Sequence, residues 1–142
     1  MGTASQLLVA YDSSQLSQKA LSRALAMAQE DEQIKVTAIS VEERTMTESI
    51  AFANAAVIEE MDKQVEEQIL EAKQQLDGLP NPTEVVSLIG HPATLITAYA
   101  ETHDCDLIII GSRGLSGFKE LMLGSVSHQV VQEAPCAVLI VK

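Results

Sequence analysis

Leu107, Ile108, Ile109 and Ile110 follow one another without a polar break, and this run constrains the fold more than any other stretch. Alternate residues of a strand point to opposite faces, so a short strand apolar throughout needs cover on both sides. A sheet covered on both faces is the parallel kind, whose strands are joined through helices. The rest of the chain supplies such pieces in alternation. Gln6 to Tyr11, Ile34 to Val41, Glu84 to Ile89 and Ala137 to Val141 read as further strands.

Helical patterns lie between them. Gln15 to Glu30 carries Leu16, Ala20, Ala24 and Met27 at steps of three or four, and Asp12-Ser13-Ser14 offers caps before it. A longer pattern, from about Glu48 to Leu76, keeps such steps through Val57, Met61, Val65, Ile69 and Ala72. At 1.5 Å per residue it would span about 43 Å. A small sheet needs less, so its first part, near Phe52 to Ala56, is expected to bend, fray or project. Pro92 opens a helix over Ala93 to Thr102, and Ser125 to Glu133 forms the last one. The pattern predicts a single α/β domain over 1–142: an open, doubly wound five-stranded parallel sheet with helices on both faces. Its expected strand order is 3-2-1-4-5. Strands 1 and 4 are then neighbours whose helices leave on opposite sides, the switch point where such sheets bind ligands. The loops there begin at Tyr11-Asp12 and at Gly111.

The second of those loops has its own pattern, Gly111-x2-Gly114-x9-Gly124-Ser125. Loop amides together with a helix start can nest a phosphate chain, and serine can cap the helix or bond a phosphate oxygen. A glycine-containing turn between strand and helix explains the same residues without a ligand. Better-known phosphate loops do not fit. The Gly-Lys-Ser/Thr ending is missing, and Arg113 separates Ser112 from Gly114 where a closer glycine pair is wanted.

The spacing resembles the nucleotide motif in the ATP-binding branch of the universal stress protein family. LLVAYDSS, IGHPATLITAYAE and PCAVLIVK also look like that family's recurring segments. The resemblance implies that Gly111, Gly114, Gly124 and Ser125 hold phosphates, with Ser112, Arg113, Val126 and Ser127 beside them. Ala10-Tyr11-Asp12 matches the segment where an acid bonds the adenosine part, and Val41 a position whose backbone contacts adenine. Each has a plainer reading: Asp12 as a helix cap, Val41 as an ordinary strand residue, Arg113 as a solvated cation.

Composition narrows the function. Aromatics make up 3% of 142 residues and the formal net charge is −11. Few stacking platforms and a strong negative balance argue against nucleic acid as a partner. No long apolar run marks a membrane span, and no signal peptide is evident, so the cytoplasm is expected. Cys105 and Cys136 read as small core residues, and with His91, His103 and His128 they show no metal-ligand spacing. No catalytic set emerges, neither a nucleophile elbow nor a carboxylate pair. The expectation is a stress-response or regulatory protein that binds ATP or another adenine nucleotide, with Mg²⁺ bridging phosphates and at most slow hydrolysis. The alternatives are a nucleotide-free protein-interaction module of the same fold and a slow ATPase. The apolar strand from Ala137, ending in Lys142, is expected at a sheet edge, where two copies would pair as a homodimer.

Overall fold

The computed structural model describes residues 5–43, 55–113 and 123–142. Five parallel strands form one sheet: β1 (Gln6–Ala10), β2 (Lys35–Glu42), β3 (Thr83–Ile89), β4 (Leu107–Gly111) and β5 (Ala137–Val141). Their order is β3-β2-β1-β4-β5, as the alternation predicts. Between them run α1 (Gln15–Ala28), α2 (Ala55–Leu76), α3 (Pro92–Thr102) and α4 (Ser125–Glu133).

The apolar run of β4 divides as its period requires. Ile109 joins Leu7, Val9, Val36 and Ala38 against α1 and α2, whereas Ile108 and Ile110 join Leu8 and Ile39 against α3 and α4. Two cores of aliphatic side chains therefore sandwich one sheet. Cys105 is buried in the second core and Cys136 packs beside it, as small core residues do. Burial pushes the Cys105 thiol up to about 11.

Helix ends are set by local hydrogen bonds. Ser14 caps α1, its hydroxyl accepting from the Ser17 amide at 3.2 Å. The helix stops at Ala28, two residues short of the Glu30 expected. The Ala28 carbonyl accepts instead from the Asp31 amide and from Nδ2 of the buried Asn81, at 3.2 and 3.0 Å. His91 caps α3, with Pro92 in its first turn, and the His103 ring stacks on Tyr99. His128 is exposed on α4.

Of the stretch expected to bend, fray or project, Phe52 to Asn54 lie outside the described residues, and Ala55 and Ala56 open α2 as exposed helical residues. Only Ala72 and Leu76 of α2 are buried, near its C-terminal end, while Val57 is 47% and Ile58 39% exposed. Its early described turns thus overhang the sheet. The expected start at Glu48 lies outside the described residues.

Candidate nucleotide-binding cleft

β1 ends at Ala10, one residue earlier than expected, whereas β2 runs on to Glu42 and pairs with Ile89 of β3. That offset opens the sheet between β1 and β2. Beside it, β1 and β4 diverge toward α1 and α4 on opposite faces. A cleft of about 540 Å³ occupies this place. Ala10, Tyr11, Asp12, Val41, Gly111, Arg113, Gly124, Ser125, Val126 and Ser127 all line it. Ser112 does not, and Gly114 lies outside the described residues.

Val41 owes its position to the ladder. The Tyr11 amide donates to the Ile39 carbonyl at 2.9 Å, so Ile39 turns its polar backbone toward β1. Two residues on, Val41 turns its own N–H and C=O the same way, beyond the last β1 residue. Residue 42 points oppositely, and its carbonyl accepts from the Gly90 amide at 2.9 Å. A strand-end donor and acceptor therefore face the cleft side by side. Such a pair fits a ring nitrogen beside an exocyclic amine.

Tyr11 lines the cleft at the end of β1. Its side chain is buried beneath α2, with the hydroxyl donating to Glu71 and accepting from Gln75 at 3.4 Å. Burial first, and the Glu71 carboxylate next, push this phenol up to about 12. Asp12 does not cap α1, which Ser14 does; its Oδ1 accepts from the Ser14 amide at 2.9 Å in the turn before the helix, and Asp12 also lines the cleft. Ser13 between them holds φ at 68°.

The glycines differ in what they are for. A Cβ on Gly111 would stand 2.7 Å from Leu16 Cβ, so this glycine lets α1 lie close on the strand end. Among the described residues, a Cβ on Gly124 would meet nothing nearer than 3.5 Å, and its φ of −65° suits any residue. None of these residues requires glycine there.

The serines have protein partners. The Ser112 carbonyl accepts from the Gly124 amide at 2.7 Å and from the Ser127 hydroxyl at 2.9 Å, while Ser127 also lines the cleft. The Ser112 amide donates to Val141. These groups close a neck where the chain leaves β4 and returns to α4. The Gly124 amide is used in that neck too. What remains for an anion is the helix start itself. Gly124 caps α4 without a side-chain bond, and the amides of Ser125, Val126 and Ser127 stand at the cleft without intrahelical acceptors.

Sequence reasoning missed the α2 contribution. Gln64, Val65 and Gln68 line the end of the cleft near Val41, where Ser40 donates its hydroxyl proton to Gln68 Oε1 at 3.1 Å. Val65 was in the apolar stripe, but glutamines between apolar positions look like solvent face. The usable signal was topological: a helix laid over β2 and β3 must pass the mouth of the switch point.

The model of the universal stress protein family matches residues 4–142. The chain belongs to that family. A universal stress protein of Bacillus subtilis, YxiE, is 37% identical, with 96% of this chain and 98% of the relative covered. UspA from Lactobacillus plantarum superimposes with a TM-score of 0.84 at 24% identity over all of both chains. An Arabidopsis thaliana family member solved with AMP bound shares the fold at a TM-score of 0.72 and 17% identity, over 97% of this chain and 91% of that one. A universal stress protein in complex with cAMP aligns at 0.73 and 23% identity, over 99% of each chain. One from Archaeoglobus fulgidus in complex with dAMP aligns at 0.62 and 19% identity, over all of both chains. Among the described residues, no helix of this universal stress protein is long and apolar enough to cross a membrane.

Proposed function

We propose that this universal stress protein binds an adenine nucleotide, ATP first, as a regulatory protein rather than a dedicated enzyme. One observation carries the reading. A single cleft presents the Val41 backbone pair at one end and the start of α4 at the other. Adenine offers N1 as acceptor and its amine as donor to such a pair, while phosphates suit helix-start amides. Arg113 lines the phosphate end and adds a positive charge. The adenylate complexes of relatives with this fold support the ligand class.

Gly124 supplies the test. No described residue blocks a Cβ there, so Gly124→Ala and Gly124→Val should lower stability only by what a poorer helix cap costs, about 1 kcal/mol. A side chain at that position would meet phosphate oxygens approaching α4, so both variants should lose ATP affinity, Val more than Ala. Isothermal titration decides it: parent and Gly124→Val binding ATP equally would sink the assignment.

Among the described residues no three metal-ligating side chains gather, so a divalent ion would arrive bridging the phosphates rather than on a protein site. Cys105 and Cys136 are free thiols, which suits action in the reducing cytoplasm. We also read the protein as a homodimer. β5 is an edge strand with Leu139 36% exposed, and a second copy could pair with its open side about a two-fold axis.

A further inference from the structure

Gln68 is the polar side chain of α2 whose orientation is fixed at the cleft. Ser40 is 5% exposed, and among the described residues its hydroxyl hydrogen has one acceptor, Gln68 Oε1 at 3.1 Å. Turning the carboxamide over would place Nε2 against the hydroxyl and leave that buried hydrogen without an acceptor. Oε1 is therefore held at Ser40, and Nε2 is the half of the amide left to serve a ligand.

Position decides which part of the ligand. Gln68 lines the cleft with Val65 and Val41 and is bonded to Ser40 of β2, whereas α4 lies on the opposite face of the sheet and follows β4. Ile39 and Ile96 line the same space and supply apolar surface suited to a flat ring. Phosphates at α4 put the base at the Val41 end, where Gln68 stands. A donor anchored through its own oxygen selects a ring that presents an acceptor and disfavours one presenting N–H.

We infer that Gln68 is a specificity-determining residue: its Nε2, oriented by the Ser40 hydroxyl, donates to a ring nitrogen of the adenine. This rests on the adenine-nucleotide reading above and adds a side-chain contact to the Val41 backbone pair. Ser40 is a positioning residue in this arrangement.

The experiment pairs ligand and protein changes. Affinities for ATP and its 1-deaza, 3-deaza and 7-deaza analogues are measured by titration calorimetry on the parent and on Gln68→Met. Methionine keeps the length of the side chain and removes the donor. Each analogue replaces one ring nitrogen by C–H. The parent should bind one analogue roughly 3- to 10-fold more weakly than ATP through loss of this contact, the range for one net hydrogen bond. Gln68→Met should lose a similar factor for ATP and no longer distinguish that analogue. Gln68→Glu still accepts from Ser40 but offers the base no donor, so it should bind ATP more weakly than Gln68→Met. Unchanged analogue penalties in Gln68→Met, with ATP bound by the parent, overturn the role of Gln68 alone. A parent that binds no adenine nucleotide removes the function proposed above and this inference with it.

Discussion

Gly111 and Leu16 are in such close register that a methyl group on the first would overlap the second, Cβ to Cβ at 2.7 Å. The obstacle includes the Leu16 backbone carbon at 3.2 Å, so it cannot turn aside as a side-chain tip would. Gly111→Ala should therefore cost about 1–3 kcal/mol, as overpacking does. Urea denaturation of the variant checks this. A midpoint equal to that of the parent would show that α1 has room to shift.

The tyrosines give a pH signature. Tyr11 and Tyr99 are the chain's two tyrosines and there is no tryptophan, so absorbance near 295 nm reports them alone. Both phenols are pushed up to about 12, by burial first and then by Glu71 and Glu84 respectively. A folded pKa above the unfolded value near 10 stabilises the fold below pH 10, and that contribution fades as pH rises from 10 to 12. Titration of the folded protein should show little ionisation at pH 10, and Tyr11→Phe should flatten the alkaline loss of stability. A midpoint near 10 in the folded protein contradicts this.

Asn81 holds three carbonyls at once. Its Nδ2 reaches Ala28, Asp31 and Ile34 at 3.0, 2.9 and 2.9 Å, fastening the turn between α1 and β2. Asn81→Ala should cost about 1–3 kcal/mol, because the Ile34 carbonyl loses this donor while those of Ala28 and Asp31 keep only the Asp31 and Ile34 amides. Asn81→Asp should cost more, because a carboxylate would face those oxygens. If chemical denaturation ranks Asp above Ala in stability, the clamp is misassigned.

ATP turnover should be slow. The carboxylates lining the cleft, Asp12, Glu42 and Glu43, stand where β1 and β2 end, whereas α4 and its cap contribute Gly124, Ser125, Val126 and Ser127, none of them a base able to take a proton from water. Purified protein should turn over well below the roughly 1–10³ per second of ordinary enzymes. Turnover within that range, lost in Asp12→Ala, would make the protein an ATPase.

For the dimer, Leu139 is the residue to probe. Val141 packs into the core under α1, so a charge there would harm the fold, whereas Leu139 is the exposed apolar residue of the edge. Leu139→Lys should shift the mass at micromolar concentration toward a monomer of 15.3 kDa while the parent stays above it. A parent already at the monomer mass refutes pairing.

Strand and helix order was legible because each element declares itself locally. The two-faced run at Leu107 and the amphipathic stripe of α1 need no distant partner to be read. The cleft was half legible. Its place followed from topology, and Val41, Asp12 and Gly124 from segments resembling the family. What could not be read depends on atoms brought together by the finished fold. Nothing around Gly111 in sequence announces Leu16, nearly a hundred residues earlier. Likewise, nothing near Ser127 in sequence announces the Ser112 carbonyl to which its hydroxyl donates.

That neck has a mechanical consequence. The Ser112 carbonyl, at the end of β4, holds both the Gly124 amide and the Ser127 hydroxyl, at the start of α4. The Ser112 amide is itself tied to Val141 of β5. A force applied at the start of α4 therefore reaches two strands of the sheet directly, through one peptide unit.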